Sequence, residues 1–355
     1  MARKAPPPPA PKSKKSVAKR RKPAARKASR TWEPYRIPGV NVRLYRIAGP
    51  RREGVPVIDP DYVFREDMVR EVAWAAWPHD GSLSSPSLVV GPKGSGKTSL
   101  IRQIAAHCNI RVHRVNLNVG TTVRHLKGRI GASDGSTIFV PGVATMAMEY
   151  GDWLLLDEVS GATPPVSLSL FPILEPDGEV YLEEAQPARY AVRHDDFRIF
   201  ATDNTIGAAQ EESRFSYGGT NPEMNEALLD RFDSCVQVGY MGVHDEHKAI
   251  MSKVPSIDPE DLEGMVRVAQ KIRTGTDHGI SFSFRMLVAW ARRVSAGYID
   301  ADGNAIVLPD ERYDSFILEA AYPAFLRKMR SKIDRDAVVE VIRRLFDIKG
   351  EVNDE

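Results

Sequence analysis

The sequence predicts an α/β fold in which helices cover both faces of a mostly parallel sheet. Two observations support this prediction: short apolar runs alternate with helical patterns, and a glycine-rich loop stands between one such run and a helix. The apolar runs are the strand candidates, at residues 87–90, 111–117, 153–158, 197–204 and 235–240. From about residue 241 the pattern is helical to the end, which predicts a small helical subdomain.

The composition is that of a globular protein with a sizeable core. Of the 355 residues, 42% are hydrophobic and 27% are charged. No apolar run approaches the roughly 20 residues needed to cross a bilayer, and the basic N-terminus lacks the apolar segment of a secretory signal. The two cysteines, Cys108 and Cys235, form no metal-binding or disulfide pattern. We therefore expect a cytoplasmic protein without a membrane segment.

Residues 1–30 differ in charge from the rest of the chain. They contain 12 Lys and Arg and no Asp or Glu, whereas the remainder holds 37 basic and 47 acidic residues. Because this Pro-, Ala- and Lys-rich tail has almost no large apolar side chains, it is predicted to be disordered. It is either a solubilising tail or a non-specific attachment to nucleic acid by counterion release.

The domain boundaries follow from changes in composition. Residues 31–60 are rich in Pro, Gly and Arg and predict an irregular lead-in. The α/β domain is predicted to span 61–240 and begins with a helix, and the helical part spans 241–355. Two insertions, at 129–140 and 179–192, have the pattern of hairpins rather than of helices.

A glycine-rich loop carries the first functional signal. GPKGSGKT at 91–98 fits the phosphate-loop pattern, directly after an apolar strand and before a helix. Its backbone N–H groups and the helix N-terminus offer positive potential to a phosphate chain. We expect Lys97 to reach the β- and γ-phosphates of a bound nucleotide and Thr98 to hold Mg²⁺. The predicted nucleotide contacts are Gly91, Pro92, Lys93, Gly94, Ser95, Gly96, Lys97, Thr98 and Ser99.

Polar residues at the ends of two later strands complete the predicted site. In WLLLDE, four apolar residues place Asp157 at the carboxyl end of a buried strand, where open α/β sheets bind ligands. Asp157 is expected to hold Mg²⁺, and Glu158 to polarise a water for attack on the γ-phosphate. After the next strand, Asn204 is a candidate for orienting that water, with its neighbour Asp203 as the competing candidate.

These motifs, in this order, resemble those of the AAA+ ATPases, and within them the MoxR group and its CobS-like members. The similarity covers about two-thirds of the chain. It is carried by VPVIDPDYVFREDMVREVAWAA (55–76), GPKGSGKT (91–98), LLLDEVSGATPPV (154–166), FATDNTIG (200–207), YGGTNPEMNEALLDRF (217–232) and ISFSFRMLVAWARRV (280–294). The resemblance implies a P-loop NTPase core with a parallel five-stranded sheet of order 5-1-4-3-2 and a C-terminal α-helical lid. It also implies a ring, typically a hexamer, in which Mg²⁺-dependent ATP hydrolysis remodels a partner protein.

The resemblance also implies roles for single residues. Asn204 takes the sensor 1 position, and Arg285 reaches the nucleotide from the lid as sensor 2. Arg231, in LDRF, is presented to the γ-phosphate of a neighbouring subunit, with Arg214 as a second candidate. Without the resemblance, the sequence predicts that Arg231 forms a surface ion pair with Asp230 or Asp233.

The sequence does not identify the partner or the client protein. The two hairpin insertions are implied to face the ring pore, and members of this group usually act with a separate von Willebrand A-type protein. One alternative is the ATPase subunit of a cobalt chelatase. Another is a DNA-associated AAA+ motor, or a replication or packaging accessory, that uses the basic tail.

Overall fold

The computed structural model describes residues 30–77, 85–133, 135–204, 224–274, 282–299, 305–306, 310–329 and 331–348. The tail predicted at 1–30 lies outside this range except for Arg30. Within the described residues, no helix is long and apolar enough to span a membrane.

The elements follow the predicted alternation of strands and helices. Ahead of the phosphate loop are β1 (Trp32–Tyr35), β2 (Leu44–Ile47) and α1 (Glu66–Ala76). The α/β part comprises β3 (Ser87–Val90), α2 (Lys97–His107), β4 (Val112–Asn116), α3 (Val123–Lys127), β5 (Gly128–Ser133), β6 (Ser136–Pro141), α4 (Val143–Tyr150), β7 (Trp153–Asp157), α5 (Pro164–Leu174), β8 (Glu179–Leu182), β9 (Arg189–Val192), β10 (Arg198–Asp203), α6 (Met224–Leu229) and β11 (Ser234–Gln237). The C-terminal part comprises α7 (Val243–Lys253), α8 (Pro259–Thr274), α9 (Phe284–Ala296), β12 (Tyr298–Ile299), β13 (Ala305–Ile306), α10 (Asp310–Ala324) and α11 (Lys332–Leu345).

Five parallel strands form the central sheet, in the order β11-β3-β10-β7-β4. Counted along the chain, these five strands have the order 5-1-4-3-2, so the predicted topology is confirmed. Every side chain of β7 is buried, because the sheet is covered on both faces. Leu154 and Leu156 pack on the α4 and α5 side, whereas Trp153 and Leu155 pack on the α1 and α2 side.

This topology brings the predicted site residues to one place. In a parallel sheet all strands end at the same edge, so the segments that follow β3, β7 and β10 meet there. The register pairs Asp203 with Val90, at the ends of β10 and β3, and Asn116 with Asp157, at the ends of β4 and β7. The phosphate loop, Glu158 and Asn204 therefore lie at the carboxyl edge.

The lead-in is more ordered than its composition predicts. β1 and β2 form an antiparallel pair inside the segment predicted to be irregular, so that prediction is wrong for these residues. Leu44 and Ile47 of β2 are buried in the cluster that also holds residues of α1 and α2. The strands have four residues each, too short for a clear alternating pattern.

The two insertions form the antiparallel hairpins β5–β6 and β8–β9, as predicted. The C-terminal helices form a separate apolar cluster around Trp290 and Phe325, and this confirms the predicted helical part. The short β12–β13 pair lies between α9 and α10 and was not predicted.

Candidate functional site

The phosphate loop joins β3 to α2 and depends on glycine. Gly94 and Gly96 have φ of 75° and 91°, in the left-handed region that side chains rarely adopt. A Cβ on Gly94 would lie 2.6 Å from the Cβ of Ser283, at the start of α9. The loop therefore turns tightly against the helical part, and α2 begins at its end with backbone N–H groups available to an anion.

Lys97 is held in the centre of the site. The residue is 8% exposed, and its ammonium donates to the carbonyls of Gly91 (2.8 Å) and Pro92 (3.0 Å) and to Oδ1 of Asn204 (3.0 Å). Burial lowers the pKa of Lys97, while the neighbouring carboxylates, first among them Asp203, act in the opposite direction. A cation that is poorly hydrated and near the loop is suited to bind a phosphate oxygen.

Asp157 accepts hydrogen bonds from three side chains. Thr98 donates to its Oδ1 at 2.8 Å, and Thr202 donates to the same oxygen. Arg114 of β4 donates to Oδ2 through Nε, at 2.9 Å, and through Nη2. Burial raises the pKa of Asp157, but the hydrogen bonds from Thr202, Thr98 and Arg114 together outweigh it, so the pKa lies below its usual value.

The donor set around Asp157 fits Mg²⁺. This ion prefers hard oxygen ligands and is usually bound by one or two carboxylates together with substrate phosphates. Thr98 offers a hydroxyl oxygen and Asp157 a carboxylate held ionised beside it. In the described parts of the chain, no group of three or more His, Cys, Asp or Glu side chains could hold a metal by itself.

Glu158 has an unusual backbone conformation. Its φ of 55° and ψ of 57° are left-handed, which is uncommon for a residue with a side chain. Its N–H donates to the Thr202 hydroxyl at 3.3 Å, and a single 3₁₀ turn, Val159–Gly161, follows it. Such conformations persist where the surroundings impose them, often at functional sites. The turn lifts Glu158 away from the buried strand, and the residue is partly exposed.

The structure separates the two candidates that follow β10. Asp203 is buried and accepts from the backbone N–H of Ser160, at 2.7 Å, and from its hydroxyl, at 3.1 Å. Asp203 therefore fixes the turn after Glu158. Asn204 instead presents its amide oxygen to Lys97. The Asn204 side chain is therefore hydrogen-bonded directly to Lys97 of the phosphate loop.

The helical part contributes Arg285 to the same region. Ser283 caps α9 by accepting the N–H of Met286 at 3.3 Å, and Arg285 is exposed in the first turn of that helix. Because Ser283 packs against Gly94, the first turn of α9, with Arg285 in it, adjoins the phosphate loop.

A cavity of about 220 Å³ adjoins the phosphate loop. Its lining comes from the segment ahead of α1, from the loop and from the helical part, and includes Asp59, Tyr62, Val63, Gly96 and Phe284. Lys253 at the end of α7 forms an ion pair with Asp59 at 3.0 Å. The cavity thus lies between the two parts of the protein and is closed on one side by a contact between them.

Arg231 lies elsewhere, against α5 and α6. Its guanidinium carbon is 3.7 Å from the centre of the Phe171 ring, and Nη1 donates to the Ala227 carbonyl at 2.5 Å. Its ion-pair partner is Glu175, at 3.4 Å, and not Asp230 or Asp233 as the sequence suggested. The alternative candidate, Arg214, lies outside the described residues.

The structure therefore brings together most, but not all, of the predicted side chains. Lys97, Thr98, Asp157, Glu158 and Asn204 meet at the sheet edge, and Arg285 is exposed in the helix turn that adjoins the phosphate loop. Sequence reasoning missed Arg114 and Thr202. Both stand on strands next to that of Asp157, so only the strand order could have indicated them.

Comparisons with known proteins show which families the chain resembles. Residues 86–232 match the AAA domain of the dynein-related subfamily, and residues 246–308 match the CbbQ/NirQ/NorQ C-terminal domain. The aerobic cobaltochelatase subunit CobS of a Sinorhizobium species is 28% identical over 306 residues, covering 83% of this chain and 84% of CobS. Midasin of Dictyostelium discoideum is 26% identical over 281 residues, which cover 76% of this chain but 4% of midasin. A mutant of RuvB from Thermotoga maritima shares 15% identity with a TM-score of 0.46, covering 73% of this chain and 70% of that one.

Proposed function

The chain is an AAA+ ATPase of the MoxR/CobS type, and we propose that it hydrolyses ATP with Mg²⁺ as a subunit of a homo-oligomeric ring. We further propose that the ring is a hexamer and that hydrolysis remodels a partner protein. One observation carries the proposal: the phosphate-loop lysine, the Thr98–Asp157 pair and Glu158 converge at one edge of the sheet.

In this proposal the loop and the lid bind the nucleotide together. The backbone of residues 91–99 and the start of α2 surround the phosphates, and Lys97 binds the β- and γ-phosphate oxygens. The adjoining cavity takes the base, because it opens beside Gly96 and has apolar walls from Val63 and Phe284. Arg285 adds positive charge from the lid.

Hydrolysis then needs a positioned water. Glu158 accepts a proton from the water, whose oxygen bonds to the γ-phosphorus while the bond to the β–γ bridging oxygen breaks and ADP leaves. Asn204 orients this water or the γ-phosphate, and Lys97 offsets the charge of the phosphate oxygens. Thr98 and Asp157 would hold Mg²⁺ bound with ATP, and the ion would supply further neutralisation of phosphate charge.

We propose that Arg231 acts on the nucleotide of a neighbouring subunit. Its contacts with Phe171 and Glu175 support this role, since they fix the guanidinium against α5 of its own subunit. The side chain is about one-third exposed, so it can reach a surface that another subunit approaches. A trans-acting arginine of this kind is worth about 10³–10⁵ in rate in the studied cases.

The client of the ring is proposed to be a protein, with a von Willebrand A-type protein as the expected partner. The exposed face of the β8–β9 hairpin supports a protein contact. Tyr181 and Tyr190 lie opposite each other there, with ring centres 5.0 Å apart, and Val192 adjoins them in the exposed row. Exposed aromatic and apolar side chains grouped on one face are typical of interaction sites.

A second candidate function is the ATPase subunit of a cobalt chelatase. It is favoured by the similarity to CobS, which extends over most of both chains. Stimulation of the ATPase by the other subunits of a cobaltochelatase together with Co²⁺ would support this role. Absence of stimulation, with the ATPase itself active, would leave the first candidate in place.

The proposal is tested by measuring turnover and assembly together. Purified protein is assayed for ATP hydrolysis in Mg²⁺ and in EDTA, and its mass with ATPγS is measured by native mass spectrometry. We expect hydrolysis in Mg²⁺ alone and an assembly of six subunits, with Lys97→Ala inactive. A monomer that hydrolyses ATP at full rate would contradict the ring, and activity in EDTA would contradict the metal.

A further inference from the structure

The carboxylate of Asp157 is fully used by the protein's own donors. A carboxylate offers about four acceptor positions. Two hydrogen bonds, from Thr98 and Thr202, end on Oδ1, and two, from Nε and Nη2 of Arg114, end on Oδ2. A metal ion or a metal-bound water can reach Asp157 only by displacing one of these donors.

The donors differ in how readily they can leave. Thr202 is 1% exposed and Asp157 is 6% exposed, so their hydrogen bond lies in the interior. The Thr98 hydroxyl can keep its hydrogen bond to Oδ1 while a lone pair of its oxygen binds a cation. The Arg114 side chain is 46% exposed and can exchange its hydrogen bonds for water. Arg114 is therefore the donor that can be displaced at least cost.

We propose that Arg114 is a placeholder cation: its guanidinium holds Oδ2 of Asp157 and moves into solvent when Mg²⁺ binds there with a nucleotide. This inference rests on the proposed Mg²⁺-dependent function. The placeholder keeps the charge of Asp157 balanced beside two further carboxylates, Glu158 and Asp203. It also makes the metal easier to release, because the arginine competes for the same oxygen.

The direction of the effect follows from the two threonines. If Arg114 oriented Asp157, its removal would weaken metal binding, as loss of an outer-shell partner usually does by about 10–100-fold. Here Thr98 and Thr202 already fix the carboxylate through Oδ1. Removing Arg114 therefore frees Oδ2 without loosening Asp157, and it also removes a positive charge from the metal's surroundings. Both consequences strengthen Mg²⁺ binding.

The test measures metal binding rather than turnover. A fluorescent ADP analogue is titrated into wild type and Arg114→Met in EDTA, and then Mg²⁺ is titrated at fixed nucleotide concentration. We expect similar nucleotide affinity in EDTA and a half-saturating Mg²⁺ concentration about tenfold or more lower in Arg114→Met, since a hydrogen bond to a charged group contributes that much. Arg114→Lys, which keeps the charge, should stay near wild type.

Arg70→Met is the matched control, because Arg70 is also an exposed arginine paired with a carboxylate, Glu66 of α1. It should bind Mg²⁺ as wild type does. An unchanged or higher half-saturating Mg²⁺ concentration in Arg114→Met would overturn the placeholder role, and Arg114→Gln tests the same point if the methionine variant does not fold. A wild type that binds ADP with no response to Mg²⁺ would instead overturn the proposed metal dependence and the inference with it.

Discussion

Lys97 and Asn204 are joined by a 3.0 Å hydrogen bond from the ammonium to the amide oxygen. This contact connects the phosphate loop, after β3, to the residue that follows β10. A phosphate oxygen that binds Lys97 competes with Asn204 for the same ammonium protons. Asn204 is thereby placed to change its partner when a γ-phosphate is present, which is the behaviour expected of a residue that orients the attacking water.

Asn204→Ala should therefore separate binding from turnover. Lys97 keeps its two carbonyl acceptors, so we expect ADP affinity to change little. We expect the rate of ATP hydrolysis to fall by about 10²-fold, as after loss of one polar group that acts on the reacting atoms. Nucleotide titration and steady-state hydrolysis measure the two effects. Turnover at the wild-type rate would show that Asn204 has no part in the reaction.

Glu158→Gln should bind ATP and fail to hydrolyse it. The amide keeps the shape of the side chain but cannot accept the water's proton, so we expect a loss of about 10²–10⁴-fold. Glu158→Gly is a useful companion, because glycine adopts the left-handed backbone of this position without strain. Both variants should be equally inactive. That result would show that the carboxylate, and not the strained backbone, is needed for hydrolysis. A glycine variant that retains turnover would contradict the role of the carboxylate.

Much of the fold and of the nucleotide site could be predicted from local sequence. Buried parallel strands are continuous apolar runs, and WLLLDE and SLVV are such runs. The phosphate loop needs glycine at fixed positions, so it can be recognised from the spacing of its glycines in the sequence. Because Asp157 and Glu158 directly follow a buried strand, their place at the sheet edge could be inferred without knowing their partners.

The contacts that could not be predicted are those between distant parts of the chain. Arg114 and Asp157 are 43 positions apart and meet because β4 and β7 are neighbours in the sheet. Arg231 has aspartates beside it in sequence, yet it pairs with Glu175 because α6 packs on α5. Leu44 and Ile47 become strand residues through packing on α1 and α2, which the short lead-in segment does not encode by itself.

Arg231→Ala should spare nucleotide binding and lose hydrolysis. The removed guanidinium contacts α5 and α6 in its own subunit, so its loss should not change the phosphate loop. If Arg231 serves the neighbouring subunit, mixed rings of Arg231→Ala and Glu158→Gln should regain part of the turnover. In such rings some sites combine an intact Glu158 with an intact Arg231 from the next subunit. No recovery in rings confirmed to be mixed would contradict the action in trans.

The Asp59–Lys253 ion pair should slow the release of ADP. It joins the segment ahead of α1 to α7 beside the cavity, and both side chains are about one-third exposed. Exposed pairs contribute about 0.2–1 kcal/mol, so we expect Lys253→Ala to speed ADP dissociation by up to about fivefold. Stopped-flow release of a fluorescent ADP analogue measures this. The double variant Asp59→Lys with Lys253→Glu, which exchanges the two charges, should restore the wild-type rate. If Lys253→Ala released ADP at the wild-type rate and the double variant did not differ from it, the ion pair would not slow ADP release.

Asp152 should make stability depend on pH, far from the nucleotide. Its buried carboxylate accepts from Arg30 (2.8 Å), Arg52 (2.9 Å) and His113 (3.1 Å). Burial raises the pKa of Asp152, but the hydrogen bonds of His113 and Arg52 and the charge of Arg30 outweigh it, so the folded pKa is lowered. The stabilisation is therefore present above the unfolded pKa of about 3.9 and is lost as the pH falls through the folded value.

Asp152→Asn tests this relation directly. At pH 7 we expect the free energy of unfolding to fall by roughly 3–5 kcal/mol, because the arginines around a buried partner are left uncompensated. The difference from wild type should shrink as the pH falls from about 4, where the unfolded chain begins to protonate Asp152, and should vanish below the lowered pKa of the folded state. Urea unfolding at a series of pH values measures both quantities. A difference that stays constant down to the acid limit would show that the ionisation of Asp152 does not stabilise the fold.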